Sequence, residues 1–168
     1  MYDGERKLTG KIIERRGKLL PGEFIVVVGV WVFNDKHEIL LTRRDFTKGF
    51  APGLWENTGG HLDSGEESIQ GALRELWEET GIEARAEELV FLGSAKVPPF
   101  FGDNYILHRN VELSQVKLKE GETCEVKWVT LQEFNRMDRE KELAPSVCEH
   151  LAPMREKFEQ ELFLAFSK

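Results

Sequence analysis

Gly60-His61-Leu62-Asp63-Ser64-Gly65-Glu66-Glu67-Ser68-Ile69-Gln70-Gly71-Ala72-Leu73-Arg74-Glu75-Leu76-Trp77-Glu78-Glu79-Thr80-Gly81-Ile82 is the stretch on which the reading of this chain turns. Ser64 followed three residues on by Glu67 has the form of a capping box, which predicts a helix opening at Ser64. Ile69, Ala72, Leu73 and Leu76 then recur at i, i+3, i+4 and i+7, one apolar stripe on a helix that runs to about Thr80. Gly81 is its expected stop. Around that helix Glu75, Glu78 and Glu79 fall at roughly 0°, 300° and 40°, a single carboxylate face opposite the stripe formed by Ile69, Leu73 and Leu76. Three like charges at this spacing repel, and Arg74 offsets only part of it through Glu78 at i+4.

A rigid helix carrying three carboxylates beside Thr58-Gly59-Gly60-His61 is a platform for hard cations, which take oxygen ligands and leave sites for water and substrate phosphates. The glycines bring bare backbone close, so a carbonyl there is a natural further ligand. The plain alternative is a solvated acidic face.

Upstream, Phe24 to Phe33 is Val-rich and bounded by Pro21-Gly22 and Asn34-Asp35, which predicts a buried strand. Glu38 to Arg44 reads as a second strand, hairpin-paired with the first. Residues 45–65 are rich in Gly, Pro, Asp and Asn and read mainly as loop. Residues 1–23 read as an N-terminal arm or hairpin. Downstream, strands are expected at about 88–97, 104–113 and 123–130, with Thr130 capping a short helix. Val147, Leu151, Met154, Phe158, Leu162 and Phe166 keep a helical period over 145–168, which Pro153 should kink or split. No repeat or linker breaks the chain, so residues 1–168 are expected to form one domain.

The 168 residues are 40% hydrophobic with a formal net charge of −7. That is enough apolar material for a core, and an acidic chain without a basic run is poorly suited to nucleic-acid phosphates. The longest apolar run is far short of a bilayer span. Only Cys124 and Cys148 occur, with no CxxC, so a reduced, cytoplasmic setting is expected.

Gly60, Glu66, Arg74-Glu75-Leu76, Glu78-Glu79, Gly81 and Ile82 fill every fixed position of GX5EX7REUXEEXGU, where U is a bulky aliphatic residue. The chain thus resembles the Nudix (MutT-like) hydrolase family. The resemblance implies an α+β fold, with a central mixed sheet sandwiched between helices and the box at 60–82 as loop–helix–loop. It implies hydrolysis of a diphosphate linkage in a nucleoside diphosphate joined to another group, with Mg²⁺ or Mn²⁺. It makes Glu75, Glu78, Glu79 and the Gly60 carbonyl the expected metal ligands, and Glu66 and Arg74 a salt bridge that orients them. The glutamate at the Glu75 position, or one outside the box, is the expected activator of water. Glu125 is the first choice for an out-of-box ligand and Glu122 the second. One of Arg43 and Arg44 is a candidate phosphate contact, since adjacent strand positions face opposite ways.

Pro98 and Pro99 lie near where sugar-nucleotide members carry a proline. Phe100, Phe101 and Trp55 could stack a base or belong to the core. The resemblance leaves open a homodimer, and it does not name the substrate. Two rivals are a nucleotide-sensing module without catalysis, which would have lost box glutamates, and an isopentenyl diphosphate isomerase-like enzyme. The isomerase needs a reactive cysteine where this chain has Gly59, and early histidines where the first here is His37.

Overall fold

The structure is a computed structural model that describes residues 1–14 and 17–164. Its centre is β1 (Ile25–Phe33), whose alternate residues bury on opposite faces. Val28, Val30 and Val32 join Leu40, Ala72 and Leu76 on one side, while Trp31 and Phe33 join Phe134, Leu151 and Phe158 on the other. A strand apolar on both faces belongs in the middle of a covered sheet. Seven strands make that sheet: β2 (Glu38–Arg44), β3 (Trp55–Glu56), β4 (Thr58–His61), β5 (Leu89–Val97), β6 (Phe100–His108) and β7 (Thr123–Thr130) complete it. The path runs β3-β2-β1-β6-β5, with β4 on β1 and β7 on β2. The β1–β6 pair is parallel and the others antiparallel, so the sheet is mixed.

Helix α1 (Ser68–Thr80) covers one face, lying on β4 and β1. On the other side lie α2 (Leu131–Arg139), α3 (Pro145–Leu151) and α4 (Arg155–Leu162). The expected α/β/α sandwich is the observed architecture. Thr130 caps α2 by accepting from the Glu133 N–H. The expected C-terminal helix is divided, as Pro153 requires: a 3-10 turn at Ala152–Met154 separates α3 from α4. Its expected extension through Phe166 to residue 168 falls partly outside the described residues.

Four expectations change. The cap of α1 is Glu67 paired with Gln70, not Ser64 with Glu67. Gly65 takes φ +84° and the Glu66 N–H donates to the Asp63 carbonyl, so residues 63–66 are spent on a turn and the helix starts later. The β1–β2 hairpin pairs only at its mouth, Phe33 with Ile39. Beyond it β4 takes the edge of β1 at Val27 to Val30, while β2 pairs with β7 and β3. Residues 45–65 hold the two short strands β3 and β4 rather than being mainly loop. Finally, β6 starts at Phe100, because Pro98 and Pro99 turn the chain directly from Val97 into Phe100. In the N-terminal arm Tyr2 bridges to Phe24 and Leu8, and the described residues of 9–23 form no strand.

Candidate active site

Arg74 ties the box together. Its guanidinium donates to both oxygens of Glu66 at 2.9 Å, to Glu75 at 2.8 Å and to the His61 carbonyl at 2.9 Å. One planar fork thereby joins β4, the turn before α1 and the helix itself, a task that its fixed geometry suits. Hydrogen bonds from Arg74 hold Glu66 below the usual carboxylate range against the opposing effect of burial, with a further one from the Asp63 N–H.

Gly59 and Gly60 carry β4 past this helix, and neither position has room for a side chain. A Cβ on Gly60 would lie 2.3 Å from a Glu75 carboxylate oxygen, and one on Gly59 would lie 2.1 Å from the Val28 carbonyl oxygen. The Gly59 N–H donates to Glu79 at 3.2 Å. The geometry therefore sets Glu75 against Gly60 and Glu79 against Gly59.

Glu79 differs from the expected exposed face. It is 7% exposed, buried with Ala72, Leu76 and Thr80 where α1 meets the sheet. Desolvation, and next the charges of Glu56 and Glu75, raise its pKa to about 8; the Gly59 N–H opposes this and Glu122 adds to it. Glu56 is also raised, by burial first, with the Arg44 charge opposing. Glu78 lies further out, where Lys119 donates to it at 2.9 Å and Arg74 stands at 3.6 Å. The Lys119 hydrogen bond holds Glu78 below its usual value, against partial burial. The Glu78 hydrogen bond, and then the charges of Glu78, Glu122 and Glu75, in turn favour the charged form of Lys119 against partial burial.

Outside the box, the carboxylates whose charges reach Glu79 are Glu56 and Glu122. Glu122 is ion-paired with Lys48. Glu125 instead pairs with Arg43 at 3.0 Å, directly across from it in the β2–β7 register. The two arginines face differently. Arg44 binds both oxygens of Glu56, at 2.8 and 2.7 Å, and lines a cleft, whereas Arg43 sits over the Phe46 and Trp55 rings.

That cleft is about 560 Å³ and opens between the sheet and α3. Its floor includes Gly29, Gly59, Gly60 and Gly102, with Asn57 and Asn104 beside them; Phe50, Pro98, Phe100 and His150 stand on its walls. Trp55 and Phe101 are buried at 7% and 6% exposure and belong to the core, so Phe100 alone of the three aromatic candidates reaches the cleft. Sequence reasoning missed Glu56, Asn57, Asn104 and His150. Glu56, an acidic residue just ahead of the glycine pair, was the one with a local signal.

Among the described residues, no three His, Cys, Asp or Glu side chains stand close enough in these conformations to share one ion. The donor chemistry nevertheless fits a hard divalent cation. Glu75 and Glu79 stand against the bare backbone of Gly60 and Gly59, and burial with neighbouring negative charge favours the neutral form of Glu79, a balance that a cation would reverse.

A mixed sheet thus lies between helices, with a glutamate-bearing helix docked on a glycine pair that also lines a cleft. A family model, the NUDIX domain, matches residues 23–149. An uncharacterized Nudix hydrolase of Listeria monocytogenes is 33% identical over 146 residues, covering 86% of each chain. The crystal structure of a MutT protein from Methanosarcina mazei aligns with a TM-score of 0.64 at 26% identity, over 87% of this chain and all of that one. An isopentenyl-diphosphate Delta-isomerase of Pectobacterium atrosepticum is 36% identical over 83 residues, 49% of this chain and 46% of its own. The chain belongs to the Nudix family and is an enzyme of its pyrophosphohydrolase class, whose members hydrolyse nucleoside diphosphate derivatives and generally use divalent metals.

Proposed function

We propose that this enzyme cleaves the diphosphate linkage of a nucleoside diphosphate joined to a second group, using Mg²⁺ or Mn²⁺. The observation that carries the reading is the buried Glu79 carboxylate on the Gly59 N–H, within electrostatic reach of Glu56, Glu75 and Glu122, with Gly59 and Glu56 also lining the cleft. Glu75, Glu78, Glu79 and the Gly60 carbonyl would hold the ions, with Glu122 rather than Glu125 as the outer carboxylate. Bound there, divalent ions neutralise the diphosphate and lower the pKa of water. Glu75 accepts the proton of the attacking water. Glu66 and Arg74 keep the Glu75 carboxylate aimed at Gly60. Arg44 turns from Glu56 toward a phosphate oxygen, and the cleft holds the organic part of the substrate against Phe100 and Pro98. Residues 1–168 act as one domain in the cytoplasm; among the described residues no helix is long and apolar enough to cross a membrane.

The isomerase reading has the partial likeness in its favour but lacks its cysteine. Gly59 stands at that position, and its Cβ direction is closed by the Val28 carbonyl. A screen of nucleoside diphosphate derivatives with Mg²⁺ and Mn²⁺, run in ¹⁸O-water and resolved by mass, tests the proposal. Metal-dependent release of a labelled monophosphate is expected. Metal binding without turnover of any compound would favour the sensing module instead.

A further inference from the structure

The N-terminal arm lies outside the family match, yet it is tied to the box helix. Tyr2 exchanges two backbone hydrogen bonds with Phe24, at 2.7 and 2.8 Å, which fastens the arm to the start of β1. Asp3 then organises a tight loop: its carboxylate accepts the N–H groups of Glu5 and Lys7, each at 2.9 Å, and its carbonyl accepts that of Arg6 at 3.0 Å. Arg6 itself takes φ +63°, a left-handed conformation that a side-chain-bearing residue adopts only when its contacts hold it there. Those contacts are made by its guanidinium, which forks onto both oxygens of Asp103 at 2.7 and 2.5 Å and donates to the Ser94 hydroxyl at 2.7 Å. Lys96 closes the loop from the other side on the Gly4 carbonyl.

Asp103 on β6 is 2% exposed. Its second partner is the Ser68 hydroxyl, which donates to it at 2.6 Å and accepts from the Tyr105 hydroxyl at 3.0 Å. Ser68 is the first residue of α1. A buried carboxylate with a full set of donors is a stiff joint, and this one has the arm on one side and the catalytic helix on the other. Glu75 follows Ser68 by two helical turns, or roughly 10 Å of rigid helix.

We propose that Arg6 is a positioning residue. Through Asp103 and Ser68 it sets where α1 begins and so where Glu75 and Glu79 meet Gly59 and Gly60. This rests on the hydrolase reading for its catalytic consequence, but the mechanical link stands on the network alone.

The test uses the full chain with Arg6→Gln, Arg6→Lys, Ser68→Ala and, as an arm control, Lys11→Gln, which removes only an exposed pair with Glu23. Two readouts are taken: hydrogen exchange of the amides of residues 71–76, and kcat and KM on the best substrate of the screen. Arg6→Gln and Ser68→Ala are expected to speed exchange at 71–76 about tenfold. They should lower kcat about tenfold with KM changed less than twofold, because displaced carboxylates harm the transition state more than binding. Arg6→Lys should recover part of both, and Lys11→Gln should match wild type. If both Arg6→Gln and Ser68→Ala leave exchange at 71–76 and kcat as in wild type, whatever happens to Tm, the pair only fastens the arm and the proposal is overturned. Should wild type hydrolyse nothing, the functional reading fails while the exchange data still decide the link.

Discussion

Glu78 touches two cations, Lys119 and Arg74, at the rim of the acidic face. Replacing it by glutamine relieves repulsion with Glu75 and Glu79 but also removes both pairings. Exposed and half-exposed pairs contribute little, so metal-free stability should change by no more than about 1 kcal/mol. Activity should fall roughly 10²-fold in kcat/KM, about 2.7 kcal/mol, because a lost ligand matters most where charge develops. Glu87→Gln, an exposed change beside Arg85, is the matched control and should behave as wild type in the same assay. Glu79 supplies the pH test. Its pKa is about 8 in the fold against a reference of 4.5, so between those values the folded protein binds more protons than the unfolded one. The contribution of Glu79 to the stability of the metal-free protein must then fall as pH rises from about 4.5 to about 8, and level off beyond. Glu79→Gln should lack that part of the slope. Denaturant melts in chelator at pH 5 and pH 8 would reveal it as a loss on the order of a few kcal/mol in wild type relative to Glu79→Gln. Equal pH dependence in wild type and Glu79→Gln would refute the raised pKa of the buried Glu79.

At the scale of elements, β4 and α1 meet so closely that two adjacent glycines have different tasks. The Cβ of a Gly60→Ala variant would meet the end of the Glu75 side chain, which can swing away, whereas that of Gly59→Ala would meet the Val28 backbone at 2.1 Å. Gly60→Ala should therefore keep most of its stability and lose activity, because Glu75 is displaced from its place beside Arg74. Gly59→Ala should cost about 1–3 kcal/mol in folding, or more, because the β1–β4 ladder itself has to part. Paired Tm and kcat measurements separate the two. Equal losses of stability would mean that the two positions are equivalent.

For the whole molecule, the acidic centre couples folding to metal. Ions bound only by the folded state stabilise it by mass action, about 2.7 kcal/mol at a hundred times Kd. A melting scan with Mg²⁺ or Mn²⁺ against chelator should show a rise in Tm for wild type. The rise should be absent in Glu78→Gln/Glu79→Gln; an equal rise in both proteins would mean that the ions bind elsewhere.

What the chain alone determined is whatever neighbouring residues decide among themselves. Helical period places Glu75, Glu78 and Glu79 within two turns of one another, Pro153 divides the C-terminal helix, and the Val-rich run at 24–33 must be a covered strand. These follow from local geometry, and the box spacing carries the family with them. The tertiary structure decided what depends on register between distant segments. The pairing of β2 with β7 sets Arg43 against Glu125 and leaves Arg44 to Glu56. The docking of α1 on β4 buries Glu79 within reach of Glu75 on its own helix and of carboxylates from two other parts of the chain, Glu56 and Glu122. Glycines of three strands, β1, β4 and β6, line the cleft, and Arg6 reaches Ser68 through a β6 aspartate far along the chain. No local period encodes such meetings, because each is a compromise among strand pairing, helix packing and the room that a missing side chain leaves.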